Sequence, residues 1–174
     1  MNVLFHTATA IATVVLITDT NRPLLKMYDR INVRDSFLAL FVGIIFHGIL
    51  DYMPHRYPVN SKIDAIASLF IFIAILFWVD KKYKLIIVAS FLGNILPDLI
   101  DLLPGILNKY FSFNIPILPK IFPWHWPEYS GSIYKGGYNI SNLNHLLVLL
   151  FVLIICLVRY KDFREIFIRN SSAS

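Results

Sequence analysis

The chain has 174 residues and a formal net charge of +5, with 57% of its residues apolar and 16% charged. A soluble domain carries about 45–50% apolar and about 25% charged residues. The composition, with a mean hydropathy of +0.63, therefore excludes an ordinary soluble enzyme and points to an integral membrane protein. The pI of 9.4 is no sign of nucleic acid here, because basic loops that set membrane orientation account for it. The single cysteine, Cys156, lies in an apolar run and has no partner for an internal disulfide.

Five apolar stretches follow one another, at about 3–17, 37–53, 63–79, 85–103 and 143–158. Each approaches the 17–25 residues, roughly, that cross a bilayer. The expected fold class is all-α, a single membrane domain built as a bundle of about five transmembrane helices. The first stretch has no basic residue before it, so it reads as a retained span rather than a secretory leader. The third stretch is the most purely apolar. The long connection 104–142 holds Pro104, Pro116, Pro119, Pro123 and Pro127 among many aromatics. Tyr and Trp favour the water–lipid boundary, so this connection is expected to lie over one face of the bilayer as a lid or an anchor.

The segments 41–55 (FVGIIFHGILDYMPH) and 91–105 (FLGNILPDLIDLLPG) form an internal repeat. Phe41 matches Phe91, Gly43 matches Gly93, Ile45 matches Ile95, Asp51 matches Asp101 and Pro54 matches Pro104. Both read as apolar helices ended by a carboxylate and a proline.

Five spans place alternate connections on opposite sides. One side receives Arg22, Lys26, Arg30 and Arg34, then Lys81, Lys82 and Lys84, then Arg159, Lys161, Arg164 and Arg169. The other receives only Arg56, Lys62, Lys109, Lys120 and Lys135. Lys/Arg excess marks the cytoplasm, so the N-terminus is expected outside and the C-terminus inside. On that map every histidine of the chain (His6, His47, His55, His125, His145) and Asp51, Asp98 and Asp101 fall at the outer face.

His47 and Asp51 are one helical turn apart, and so are Asp98 and Asp101, so each pair shares a helix face. Imidazole nitrogen with carboxylate oxygen is a ligand set for Zn²⁺, with Mn²⁺ or iron as alternatives. Carboxylates at helix C-termini oppose the helix dipole and the bilayer together, and a bound cation relieves both. The candidate metal ligands are His6, His47, Asp51, Asp98 and His145. Asp101 and His55 are candidates for a supporting group or for the base that activates water. His125, within Pro-Trp-His-Trp-Pro, reads as part of an interfacial aromatic anchor.

At 46–58 (FHGILDYMPHRYP) and 93–101 (GNILPDLID) the chain resembles the bacterial membrane-bound metal-dependent hydrolases, the group that includes the LexA-binding inner-membrane hydrolase. In those proteins the L-P-D-x-D segment precedes the H-x-x-x-D segment; here it follows. The resemblance implies a divalent-metal hydrolase of the bacterial inner membrane that acts on a lipid, or on another phosphate or ester group. The competing class is a non-enzymatic membrane protein, either a metal or proton carrier or a structural subunit. A carrier should place polar groups at mid-membrane, and the third stretch is nearly bare of them.

Overall fold

In the computed structural model, which describes residues 1–22 and 28–168, the chain is all-helical. The helices are α1 (Val3–Ile17), α2 (Arg30–Tyr52), α3 (Ser61–Trp78), α4 (Lys84–Asp101), α5 (Leu103–Phe111), α6 (Tyr138–Val158) and α7 (Tyr160–Phe167). Lys26 and Arg169, both used above for orientation, lie outside the described residues. Four helices, α2, α3, α4 with the turn before it, and α6, are long and apolar enough to cross a membrane. The outside of the bundle is itself apolar: Ile66, Phe70 and Phe77 are 69%, 72% and 85% exposed. A soluble surface does not carry such a continuous apolar face.

The fifth apolar helix, α1, behaves unlike the others. Its 15 residues span roughly 22 Å, short of the roughly 30 Å hydrocarbon core. It does not need to match the bilayer, because it stands at the centre of the bundle, packed against α2, α3, α4, α6 and α7. Ala10, Ala12, Val14 and Val15 are fully buried. A helix apolar on all sides and rich in Ala and Thr suits such a place, since small residues let backbones approach closely. Buried hydrogen bonds join it to α4. Thr9 Oγ1 donates to Asn94 Oδ1 at 2.9 Å, and Ser90 Oγ donates to the Ala10 carbonyl at 2.9 Å. The α3 carboxylate of Asp64 accepts from the backbone N–H of Val3 and Leu4, capping the start of α1.

The two copies of the repeat are the two helices that pack most extensively on each other. They run in the same direction, since Asn32 meets Lys82 at one end and His47 meets Asn94 farther along. The matched glycines sit at the crossing. A Cβ on Gly43 would stand 3.0 Å from the Gly93 carbonyl carbon, and one on Gly93 would stand 2.2 Å from the Leu40 carbonyl oxygen. Glycine at both positions is what lets the backbones touch, and it sets the level of everything above.

Several boundaries differ from the hydropathy reading. α2 starts at Arg30, because helix geometry continues through the polar turn containing Arg34 and Asp35 even where hydropathy falls. α6 likewise starts at Tyr138 rather than in the apolar run. Pro104 does not end a helix but lies in the first turn of α5, where its missing N–H costs nothing. The connection 104–142 is therefore partly helical, and Pro123–His125 adds a further single turn.

Candidate metal centre

Three elements converge at the end of the bundle where α1 begins. α2 supplies His47 and Asp51, α4 supplies Asp98, and the turn Pro123–His125 in the long connection supplies His125. One donor atom from each of these four lies within 4.8 Å of the others. His47 Nε2 is 3.4 Å from His125 Nε2, 3.4 Å from Asp51 Oδ2 and 3.6 Å from Asp98 Oδ1. His125 Nε2 is 3.4 Å from Asp51 Oδ2 and 3.2 Å from Asp98 Oδ1. Donors about 2.0–2.1 Å from a tetrahedral centre stand about 3.3–3.4 Å apart. The five distances, 3.2–3.6 Å, lie around that spacing, and the sixth, between Asp51 and Asp98, is within 4.8 Å.

The hydrogen bonds behind the imidazoles fix which nitrogen points inward. His47 Nδ1 is 2.7 Å from the Asn94 carbonyl, which can only accept, so Nδ1 carries the proton and Nε2 the lone pair. Pro97, inside α4, removes a ladder hydrogen bond near that carbonyl. His125 Nδ1 is 2.9 Å from Asp101 Oδ2. Asp101 also accepts from the backbone N–H of Ile121 at 2.9 Å and of Phe122 at 3.0 Å. This carboxylate–histidine arrangement is the usual support of a metal-binding imidazole. Two Nε2 lone pairs and two carboxylate oxygens thus face a common point, all of them acceptors. Asp98 Oδ1 is buried there with no hydrogen-bond donor.

Four acceptors at contact distance repel unless a proton or a cation sits among them. His125 lies outside the spanning helices, and its titration shows the pull. Burial pushes its pKa down, but the carboxylates of Asp51, Asp98 and Asp101 outweigh that and raise it to about 10. A proton fills the gap when nothing else does, and a divalent ion fits it by donor chemistry and spacing.

The remaining candidates fall in three places. His6 is fully buried, stacks on His47 with ring centroids 4.3 Å apart, and puts Nε2 3.2 Å from Asp51 Oδ1, off the line of a hydrogen bond. It borders the group from α1, and the Met1 main-chain nitrogen contacts the same Asp51 oxygen. His145 is buried but stacks on Phe5 at 4.4 Å, and its Nε2 has no hydrogen-bond partner. It stands outside the four. His55 is also outside, because both its nitrogens are engaged: Nδ1 with the Met53 carbonyl at 2.8 Å, Nε2 with Tyr57 Oη at 3.3 Å. Burial holds its pKa down to about 4, so it is a neutral residue that ties the 53–57 turn to Gly131 and Ile133 through backbone bonds of 2.8 and 2.7 Å.

The residue that the sequence reading set aside is His125. The Pro-Trp-His-Trp-Pro segment packs its tryptophan on α2 and brings His125 into the group that could hold an ion. Trp124 packs over Gly48, where a Cβ would stand 2.7 Å from the indole. The glycine next to His47 makes the slot that seats the tryptophan and so delivers its neighbour His125. The cue in the sequence was the expectation that this connection covers the His/Asp end.

Replacing Asp101 by Asn should weaken divalent-metal binding about 10–100-fold, the usual cost of losing such a support. Competition against a fluorescent chelator reads this directly. No protein-family model, curated protein or solved structure matches the chain, so the site itself carries the reading of function.

Proposed function

We propose that the protein is a membrane-embedded, metal-dependent hydrolase that cleaves a phosphate or ester bond at the extracytoplasmic face. The observation that supports this most is the unequal exposure of the four side chains, Asp98 reaching the surface although its Oδ1 is buried. The side chains of His47, His125 and Asp51 are 0%, 4% and 11% exposed, whereas that of Asp98 is 28% exposed. Two imidazoles and one carboxylate form the usual holding set of a hydrolytic zinc site. A bound divalent ion supplies a Lewis acid at that point. Asp98, the accessible carboxylate, takes the proton of the attacking water and later returns it to the leaving oxygen. Asp101 fixes the His125 ring, and Asn94 fixes that of His47. His6 stands beside Asp51, with Nε2 3.2 Å from its second oxygen. Zn²⁺ best suits the donors and their spacing, with Mn²⁺ or iron as alternatives. Asn94, Asp98 and Asp101 all lie in the 93–101 segment on which the resemblance to the membrane-bound metal-dependent hydrolases rests. The Lys/Arg distribution supports an N-terminus outside, and the resemblance supports a bacterial inner membrane as the setting.

A second reading is favoured by the tetrahedral spacing itself. Four protein donors would complete a closed site, and closed sites are structural. The two readings part at Asp98→Asn. Elemental analysis and hydrolysis of phosphate and carboxylic esters are measured together on wild type, His47→Ala and Asp98→Asn. The hydrolase reading expects metal in wild type and in Asp98→Asn, hydrolysis in wild type alone, and neither in His47→Ala. A wild type that holds metal and hydrolyses none of these esters favours the structural site. A metal-free wild type overturns both.

A further inference from the structure

A largely apolar cleft reaches Asp98. Asp98 lies in the wall of a cleft of about 300 Å³ between α3, α4 and the start of α1, at the lower end of ligand-cavity sizes. Around the carboxylate the walls are almost wholly apolar: Leu69 and Phe72 on α3, Leu92 and Ile95 on α4, and Ile106 on α5. α3 meets α4 at Phe72 and Phe91, whose rings stack at 4.5 Å, and the cleft opens beside that contact. From Asp98 the cleft descends two turns of α4 to Phe91, roughly 10 Å at helical rise. One helical turn beyond Ala65 and Ile106, past the residues that line the cleft, two cations flank one aromatic ring: Lys62 Nζ is 4.5 Å and Lys109 Nζ 5.6 Å from the Tyr110 ring centre.

A polar reactive carboxylate, an apolar channel below it and a pair of ammonium groups above it describe the two halves of an anionic amphiphile. We infer that the α3–α4 cleft seats one acyl chain of an anionic membrane lipid, with the headgroup at Lys62 and Lys109 and the bond between head and tail beside Asp98. This names the substrate class of the reading above and rests on it. The bilayer delivers such a molecule sideways, into that cleft. The ammonium groups favour a phosphate-bearing anionic head by charge, and the alkyl chain gains by leaving the disordered lipid for a fitted wall of Leu, Ile and Phe side chains.

The experiment uses the full chain in nanodiscs, with phosphatidylglycerol carrying a diazirine midway along one acyl chain as the probe. Irradiation and peptide mapping should place the adducts on α3 and α4 around Leu69, Phe72, Leu92 and Ile95, several-fold above lipid-facing α6 positions such as Leu149. Ala65 lines the same cleft and is exposed, so Ala65→Trp should fill it without disturbing the core, and labelling should fall several-fold. Lys62→Gln with Lys109→Gln should bring labelling down to the level given by the matching phosphatidylcholine probe. His47→Ala, which removes the metal, should keep the labelling. Labelling spread evenly around the bundle overturns the inference, as does labelling unchanged in Ala65→Trp or equal labelling by the zwitterionic probe. Because the readout is a covalent adduct and not turnover, a cleft that fails to label in a metal-loaded protein refutes the lipid seat alone.

Discussion

Alanine in place of His125 is expected to lower divalent-metal affinity by at least ~100-fold, beyond what loss of a supporting hydrogen bond costs, and to abolish a pH dependence with it. The metal-free imidazole has its pKa raised to about 10, so at neutral pH an incoming ion must displace its proton. Wild-type affinity should therefore climb as pH rises through neutrality and level off above about 10. Calorimetry in two buffers of different ionisation enthalpy should show a proton released on binding by wild type and none from this group in His125→Ala. The metal-free protein should respond to pH in the opposite sense. A group whose folded pKa is raised contributes stability that is full below its unfolded value, near 6.5, and is lost as pH rises through the folded value. The apparent Tm of metal-free wild type should thus fall between about pH 7 and 10, and that fall should be missing in His125→Ala. Parallel Tm–pH curves for the two proteins would show that the imidazole carries no charge.

The largest stability effect is expected at Gly93. A methyl group there would lie 2.2 Å from the Leu40 carbonyl oxygen and 2.9 Å from its carbon. Both obstacles are backbone, so no rotamer change relieves the clash and α2 must move off α4. Over-packing costs about 1–3 kcal/mol, and Gly93→Ala belongs at the upper end. The displacement also carries His47 away from Asn94 and Asp98, so metal binding should fall with the Tm. Gly105→Ala is the matched control. It lies inside α5 with nothing within 4 Å of a new Cβ, and replacing a helix-interior glycine gains about 0.5–1 kcal/mol. Opposite signs at two glycines of the same repeat check the packing by thermal unfolding in detergent. A mild or neutral Gly93→Ala would mean that the helices do not touch there.

What the sequence made legible was set by periodic, local physics. Apolar run length located the helices, and spacing put His47 with Asp51 on one face. The repeat marked two alike helices, and it is the structure that packs them on each other. The repeat's alignment of Asp51 with Asp101 does not extend to the side chains, which the reading by residue type separates, Asp98 with Asp51 as ligands and Asp101 as a support. The donor opposite Asp51 is Asp98, while Asp101 turns away to hold His125 and two backbone N–H groups. Repeat symmetry governs the backbone, and a side chain's role depends on which loop folds over it. The same reason hid His125. Its part depends on a long-range fit between Trp124 and the slot at Gly48, which no window of sequence displays. His55 and His145 erred the other way. A histidine near the right end of a span looks like a ligand until its partners are known, and theirs are a carbonyl and a hydroxyl in one case and a phenyl ring in the other.

Asp51 divides its two oxygens: Oδ2 faces the shared point, while Oδ1 takes the contact from the Met1 nitrogen, with His6 beside it. That carboxylate is not free to swing into a two-oxygen grip. Ca²⁺ wants six to eight oxygens and Mg²⁺ a near-ideal octahedron of them, and a cage of two nitrogens and two single oxygens at tetrahedral separation provides neither. Abundant alkaline-earth ions in the surrounding medium would therefore compete poorly for this position against ions that suit mixed nitrogen and oxygen donors.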